Sequence, residues 1–265
     1  MNILVTGGCG YIGSHACVAL ILAGHEVTVV DDLSNSRVEV LDRVATIAGR
    51  KPSFFQGDVR DQDLLRRVLA AAPMAAVFHF AGLKAVGESV AQPLRYYDCN
   101  VGGAISLCHA MADAGVKTLI FSSSATVYGD PASVPISEDF PRSATNPYGA
   151  SKLMIEDILA DLCAADADWR IARLRYFNPV GAHASGLIGE EPNGVPNNLM
   201  PYVAQVAQGI RTCLNVFGSD YPTADGTGVR DYIHVMDLVD GHVAALDYLR
   251  ERPGLLTVNL GTGSG

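Results

Sequence analysis

Positive charge is scarce in this sequence. Lys and Arg number 19 against 28 Asp and Glu, a formal net charge of −9, and charged residues make up only 18% of the 265 positions. A nucleic-acid groove or an anionic membrane surface needs clustered cations to displace counterions, so both are excluded as broad partners. Cysteine is also sparse. Cys9, Cys17, Cys99, Cys108, Cys163 and Cys213 are scattered, with no Cys-x-x-Cys pair and no Cys/His spacing of a zinc site, so reduced thiols and no metal are expected. Long apolar runs are missing as well. No stretch reaches the roughly 18 to 20 residues of a membrane helix, and the first run, Ile3 to Val5, is too short for a signal-peptide core, which makes the cytoplasm the expected location.

Hydrophobic residues are plentiful, at 49%, which is enough to bury one long domain or two modest ones. Short Val/Ile/Phe-rich runs alternate with helical patterns. Asn2–Thr6, Glu26–Asp31, Ser53–Gln56, Ala76–Phe80, Lys117–Ser122 and Arg170–Tyr176 read as strands. Runs this apolar suit strands covered on both faces, so the spacing predicts an α/β fold with a doubly wound parallel sheet. After Asn178 the texture changes to Gly, Pro, Asn and Glu, then a helix over 199–208 and a turn-rich segment over 218–228, which predicts a smaller, irregular second lobe. A helix over 235–249 and a strand over 256–260 then return to the first lobe. The expected division is 1–178 for a Rossmann domain carrying the catalytic residues, 179–230 for an incomplete substrate lobe, and 231–265 for the return. The run Gly261-Thr262-Gly263-Ser264-Gly265 follows a strand where glycines ordinarily lead into a further element, so a missing C-terminal portion is expected.

The first strand runs into Gly7-Gly8-Cys9-Gly10-Tyr11-Ile12-Gly13 and then an apolar helix. Glycines allow the tight turn and the close approach of a pyrophosphate, whose charge meets the helix N-terminus. Asp31 ends the second strand, where it can accept a hydrogen bond from a ribose 2′-hydroxyl and repel a 2′-phosphate. That favours NAD over NADP, although Arg37 nearby is the residue type that accommodates such a phosphate. Asp58, after the third strand, is placed either to meet the adenine or to cap the helix at Asp61.

Tyr148 and Lys152 lie four apart at the start of a helical pattern and so share a face. An adjacent ammonium favours the phenolate, which would lower the tyrosine's pKa and make Tyr148 a candidate general base. The strand before it ends in Ser122-Ser123-Ser124, at the carboxyl edge where open α/β sheets bind ligands, and a serine there can share a proton with the phenol and a substrate oxygen.

Together, the Gly-x-x-Gly-x-x-Gly turn and the Ser/Tyr/Lys set resemble the extended short-chain dehydrogenase family. More specific stretches are similar to the UDP-glucose 4-epimerase branch of that family: 80–89 (Phe-Ala-Gly-Leu-Lys-Ala-Val-Gly-Glu-Ser), 121–129, 175–182 (Arg-Tyr-Phe-Asn-Pro-Val-Gly-Ala), 196–201 and 226–235. The resemblance implies that Ser124, Tyr148 and Lys152 are catalytic. It implies that Gly7, Gly10, Tyr11, Ile12, Gly13, Asp31, Asn35, Ser36, Asp58, Val59, Phe80, Ala81, Lys84 and Phe177, with the catalytic three, hold NAD. Asn178, Asn198, Leu199, Asn215, Val216, Phe217 and Arg230, with Ser124 and Tyr148, would hold a UDP-hexose. Arg230 suits a diphosphate because its guanidinium fork matches phosphate oxygens, whereas a salt bridge to Asp231 is the plainer reading.

By the same resemblance, UDP-galactose and UDP-glucose interconvert through a 4-keto sugar while NAD stays bound, and a homodimer forms through helices over 93–114 and 148–163. Cys99 and Asp32 stand where the family commonly carries asparagine, so Cys99 is left out of the cofactor set. Family members also continue further, with another arginine, an acid and a residue gating the sugar pocket. A 4,6-dehydratase would need an acid pair after Thr126, where this chain has Val127 and Tyr128. Another NAD-dependent sugar-nucleotide epimerase or reductase, and a non-catalytic binding module, are the remaining alternatives. Retention of Ser124, Tyr148 and Lys152 speaks against the module, since a sensor needs no tuned phenol.

Overall fold

The computed structural model describes residues 1–265 apart from Gly194, Val195 and Asn197. The stretch 179–196 and the motif 196–201, both read from sequence, therefore include residues outside the described set. In chain order the elements are β1 (Asn2–Thr6), α1 (Tyr11–Leu22), β2 (Glu26–Asp31), α2 (Val40–Ala48), β3 (Ser53–Gln56), α3 (Gln62–Ala70), β4 (Met74–His79), α4 (Val86–Ala91) and α5 (Pro93–Tyr96). A π-helical turn over Tyr97–Gly102 leads into α6 (Gly103–Asp113), followed by β5 (Thr118–Ser124), a 3₁₀ turn over Ala125–Tyr128, α7 (Pro147–Ala165) and β6 (Arg170–Tyr176). The chain closes with β7 (Asn178–Val180), α8 (Leu199–Ala207), β8 (Tyr232–His234), α9 (Val235–Glu251) and β9 (Gly254–Leu260).

Seven strands form one parallel sheet in the order β3-β2-β1-β4-β5-β6-β9, the doubly wound α/β arrangement that the apolar strands predict. Side chains alternate between its two covered faces. Ile3, Val5, Val27, Val29, Ala76, Phe78, Ile120, Ala172 and Leu174 pack under α1, α2 and α9. Leu4, Val30, Val77, Leu119, Phe121 and Ile171 pack under α3, α6 and α7. Each Val, Leu, Ile or Phe side chain among them contributes on the order of 1.5–3 kcal/mol by leaving water.

Several boundaries differ from the sequence expectation, because pairing rather than composition sets them. β5 runs two residues further, to Ser124, since Ser122, Ser123 and Ser124 stay in register with Leu174, Arg175 and Tyr176. β9 begins earlier, at Gly254, because all seven of its residues pair with β6, and β4 is Met74–His79 rather than 76–80. The helical pattern over 93–114 is broken by the π turn at 97–102. A helix of that kind often marks a functional site.

The order of strands reverses between β1 and β4. Ligands of open α/β sheets bind in the crevice at the carboxyl ends beside such a reversal. Outside the large sheet, β7 and β8 make a small parallel pair. Its seam is at Asn178, whose backbone N–H and side-chain amide both donate to the Asp231 carbonyl (3.0 and 2.9 Å). The Asp231 carboxylate in turn accepts from the backbone N–H groups of Thr262 and Gly263 (2.8 Å each) and from the Thr262 hydroxyl.

Candidate active site

The loop after β1 lies against the loop after β4. A methyl group added at Gly13 would lie 2.1 Å from the Gly7 carbonyl oxygen, so only glycine lets α1 start this close to the turn. Gly10 caps α1 without any side-chain bond, and no acid stands in the first turn, which leaves that N-terminus open to an anion. Phe80 and Ala81 donate their N–H groups to the Thr6 carbonyl (3.0 and 3.1 Å), setting the end of β4 beside the glycine turn.

At the end of β2, the buried Asp31 carboxylate accepts from the N–H groups of Cys9 and Leu33 (2.9 Å each) and from the Ser36 hydroxyl (2.7 Å). A carboxylate has about four lone-pair sites, so one acceptor position remains for a ligand hydroxyl. Open helix terminus, close-packed glycines and a part-used carboxylate together fit the pyrophosphate and ribose of a dinucleotide. Asn35 accepts from the Asn193 N–H (3.2 Å), which brings the 34–36 loop against the later segment. Asp58 does not cap a helix. Its carboxylate accepts from the Arg60 side chain (2.5–3.1 Å) and backbone (2.8 Å), while Asp61 takes the N-cap of α3 by accepting from Leu64 N–H (2.9 Å). Val59 beside it is buried against Gly103.

Ser124, Tyr148 and Lys152 meet at the carboxyl end of β5. Asn146 caps α7 by accepting from Gly149 N–H (2.9 Å), and Pro147 occupies the first turn, where its missing N–H costs nothing. A methyl at Gly149 would fall 2.9 Å from the Thr126 carbonyl oxygen, so the helix start lies directly on the turn that follows β5. Ser124 Oγ accepts from Thr126 N–H (3.2 Å) and Oγ1–H (2.9 Å), which frees its own proton for the Tyr148 phenol. Lys152 is buried, donates from Nζ to the Ser122 carbonyl (2.7 Å), and sits 4.9 Å over the Phe121 ring and 6.0 Å from the Tyr148 ring centroid.

The electrostatics differ from the expectation for Tyr148. Burial pushes the phenol's pKa up, and the bond from Ser124 draws it only partly back. The ammonium is turned toward Ser122, and its own burial lowers it to about 8. Thr126 is followed in the 3₁₀ turn by Val127 and Tyr128, both buried and neither an acid, so this turn carries no acid pair after Thr126.

The remaining candidates spread outward. Tyr11 donates its hydroxyl to the Gly181 carbonyl (2.7 Å), and Lys84 and Asn198 both donate to Glu190 Oε1 (2.8 and 2.6 Å), so a cofactor candidate and a substrate candidate share one acid. Phe177 follows β6 beside Gly261, and Ile12 packs against the core at the start of α1. Leu199 opens α8 and is exposed. Arg230 is exposed and donates to the neighbouring Val229 carbonyl (2.8 Å); the alternative pairing with Asp231 does not form, because that carboxylate is taken up by Thr262 and Gly263. Asn215, Val216 and Phe217 are exposed, with Phe217 87% accessible, and are not brought against the catalytic side chains by any hydrogen bond among the described residues.

Sequence reasoning missed four side chains. Asn100, on the π turn, accepts from Leu83 N–H (2.8 Å) and donates to the Leu83 carbonyl and Ser151 hydroxyl (3.0 Å each), clamping the 80–84 loop to α7. Glu190 was not singled out. Glu156 and Arg175 form a buried ion pair (2.7 Å), and a charged residue inside an apolar strand was the available signal for it.

Residues 3–261 match the model of the NAD dependent epimerase/dehydratase family. Among curated proteins, the chain is 60% identical over 265 residues to a UDP-glucose 4-epimerase of Bacillus subtilis, covering 100% of this chain and 78% of that one. It is 56% identical to a UDP-glucose 4-epimerase of Dictyostelium discoideum, covering 100% and 77%. Among solved structures, the UDP-glucose 4-epimerase of Stenotrophomonas maltophila, with bound NAD and formylated UDP-arabinopyranose, superposes with a TM-score of 0.98 at 56% identity, covering 100% of this chain and 79% of that one. The Bifidobacterium longum enzyme, in complex with NAD+ and UDP, gives 0.97 at 53% identity, covering 100% and 79%. A family match across nearly the whole chain, close relatives and the site geometry agree that this chain belongs to the NAD dependent epimerase/dehydratase family.

Proposed function

We propose that the chain is a UDP-glucose 4-epimerase, interconverting UDP-galactose and UDP-glucose through a 4-keto sugar with NAD held throughout. The observation that carries this is the meeting of Ser124, Tyr148 and Lys152 at the carboxyl end of β5, beside a glycine turn and carboxylate that fit a dinucleotide. NAD, when bound, supplies a reversible hydride acceptor for the sugar C4. Tyr148 takes the proton of the 4-hydroxyl and returns it. Ser124 donates to the phenol oxygen, which stabilises the phenolate each time it forms. Lys152, fixed by Ser122, places an ammonium beside the phenol, and its positive charge favours the same state.

Gly7, Gly10, Tyr11, Ile12 and Gly13 would hold the pyrophosphate at the open N-terminus of α1, and Asp31 a ribose hydroxyl. Asn35, Ser36, Asp58 and Val59 would surround the adenosine end. Phe80, Ala81, Lys84 and Phe177 would lie along the crevice floor. Residues 179–230 are assigned as the substrate lobe, with Asn178, Asn198, Leu199, Asn215–Phe217 and Arg230 on the UDP-hexose; residues 1–178 and 231–265 carry cofactor and catalysis. The exposed position of Arg230, unpaired with Asp231, supports a diphosphate role.

A homodimer is assigned to the outer faces of the helices over 93–114 and 148–163, supported by the exposed apolar side chains Leu94 (81% accessible), Ile105 and Met154. No helix among the described residues is long and apolar enough to cross a membrane. A cytoplasmic location is supported by six cysteines that are all unpaired. The test is incubation of the purified chain with UDP-galactose in the absence of added NAD. UDP-glucose should appear, and its absence from protein that carries NAD would overturn the assignment.

A further inference from the structure

The run Ser122-Ser123-Ser124 closes β5, and its middle member takes no part in the chemistry above. Three successive strand residues hold three helix residues spaced by four. Ser124 lies close enough to Tyr148 for its hydroxyl to lower the phenol's pKa, the Ser122 carbonyl accepts from Lys152 (2.7 Å), and the Ser123 hydroxyl donates to Glu156 (2.6 Å). Residues four apart stack along one face of a helix, so Tyr148, Lys152 and Glu156 form a stripe facing the strand end.

Glu156 is fully buried and receives a two-pronged clasp from Arg175, Nε to Oε1 at 2.9 Å and Nη2 to Oε2 at 2.7 Å. Arg175 lies beside Ser123 in the register of β5 and β6. Its other nitrogen, Nη1, donates to the Tyr128 hydroxyl (2.7 Å) and the Glu138 carbonyl (3.0 Å), so the clasp also holds the chain that leads into α7. Burial pushes the Glu156 carboxyl up, but the bonds from Arg175 and Ser123 outweigh it and keep the group ionised.

A buried ion pair stabilises a fold little more than apolar residues of the same shape would, so its distinct contribution here is direction. We propose that Glu156 is a positioning residue, which, gripped by Ser123 and Arg175, fixes the rotation of α7 that sets Tyr148 against Ser124 and Lys152 against Ser122. This inference rests on the assignment of those three residues as catalytic. Glu156 also supports the charge on Lys152. Burial drives that ammonium down, while Glu156 and Cys99 act in the opposite sense. The other groups facing it are Tyr148 on α7 and His79 on β4, with two guanidiniums beyond Glu156: Arg175 on β6 and Arg142 from the segment before α7, which donates to Glu156 Oε2 at 3.3 Å. Without the carboxylate, Lys152 loses its proton at lower pH.

The experiment compares Glu156→Gln, the double variant Glu156→Gln/Arg175→Met, Ser123→Ala and Tyr148→Phe in the full chain, with UDP-galactose turnover measured across pH and NAD content determined for each. Glu156→Gln should lower kcat about tenfold with KM and NAD content unchanged, and move the alkaline limb of kcat to lower pH. The double variant, relieved of an unpaired guanidinium, should recover thermal stability and keep the kcat deficit. Where either fails to fold, Ser123→Ala, which retains the carboxylate and the ion pair but loosens the grip on α7, should show a smaller fall in kcat with the alkaline limb unmoved. Parent-like kcat with an unmoved alkaline limb in the folded variants would mean a purely structural pair and overturn the proposal. Full turnover in Tyr148→Phe would instead overturn the catalytic assignment beneath it.

Discussion

The two ends of the proposed substrate path are built differently. On the sheet side, Ser124, Lys152, Glu156 and Arg175 are buried and each is held by bonds from a different element. In the segment 179–230, among the described residues, Asn215 and Arg230 bond only to near neighbours in sequence, and Val216, Phe217, Tyr221 and Val229 are exposed. The difference teaches where precision is needed. A proton and a hydride move over fractions of an ångström, so the groups proposed to act at the reacting carbon belong on rigid elements. A nucleotide diphosphate is gripped by charge and stacking, which tolerate a more open surface.

The largest test of that contrast is Tyr148→Phe. Loss of the phenol hydroxyl should cut kcat by about 10³-fold, within the range of general acid–base catalysis, while NAD content and KM hold steady. Steady-state kinetics with cofactor extraction checks it, and a change confined to KM would erase the distinction between the two regions.

The sheet should also carry an acid sensitivity that the open segment lacks. Burial lowers His79 to about 3 and His242 to about 4, from a usual 6.5. Both folded values are depressed, so the unfolded chain binds more protons below 6.5. Their contribution to stability is then complete above that pH and is lost as pH falls toward 4, at up to about 1.4 kcal/mol per pH unit for each ring. Trp169, the sole tryptophan, is buried at the head of β6 and reports on the sheet. Its fluorescence melting temperature should drop between pH 6.5 and 4; a level profile would show that these rings are not held neutral.

The smallest expected effect belongs to the exposed side. Arg230→Ala should raise KM for UDP-galactose by about tenfold, the loss of one charge-assisted hydrogen bond, with kcat and melting temperature close to the parent. A matching fall in kcat would bring the diphosphate grip into the chemical step and sharpen the comparison in an unexpected direction.

Legibility from sequence followed the same line. The seven strands could be read because Val, Ile and Phe covered on both faces leave continuous apolar runs, and Tyr148 with Lys152 because a helix turns a spacing of four into a shared face. Ser124 was found by its place at a strand end. Asp58 and Asp61 both suit a cap, and composition does not say which backbone N–H will face which acid. Asn100 on its π turn and the Glu156–Arg175 clasp depend on partners 17 to 51 residues away, so no local pattern announces them. The direction of the Tyr148 shift was misjudged because burial, invisible in a spacing, raises the phenol and outweighs the bond from Ser124.

The seam at Asn178 and Asp231 has a further consequence. One carbonyl receives both amide groups of Asn178, while the carboxylate of the same residue holds the turn after β9. The stretch from 179 to 230 thus leaves and re-enters the fold at a single stitched point. In the statistics of chain closure it is a graft with pinned roots, and doubling its length would cost only about 0.6 kcal/mol. If that graft is the proposed substrate lobe, insertion or exchange within it would alter substrate preference while the strand order and the proposed reacting groups stay as they are.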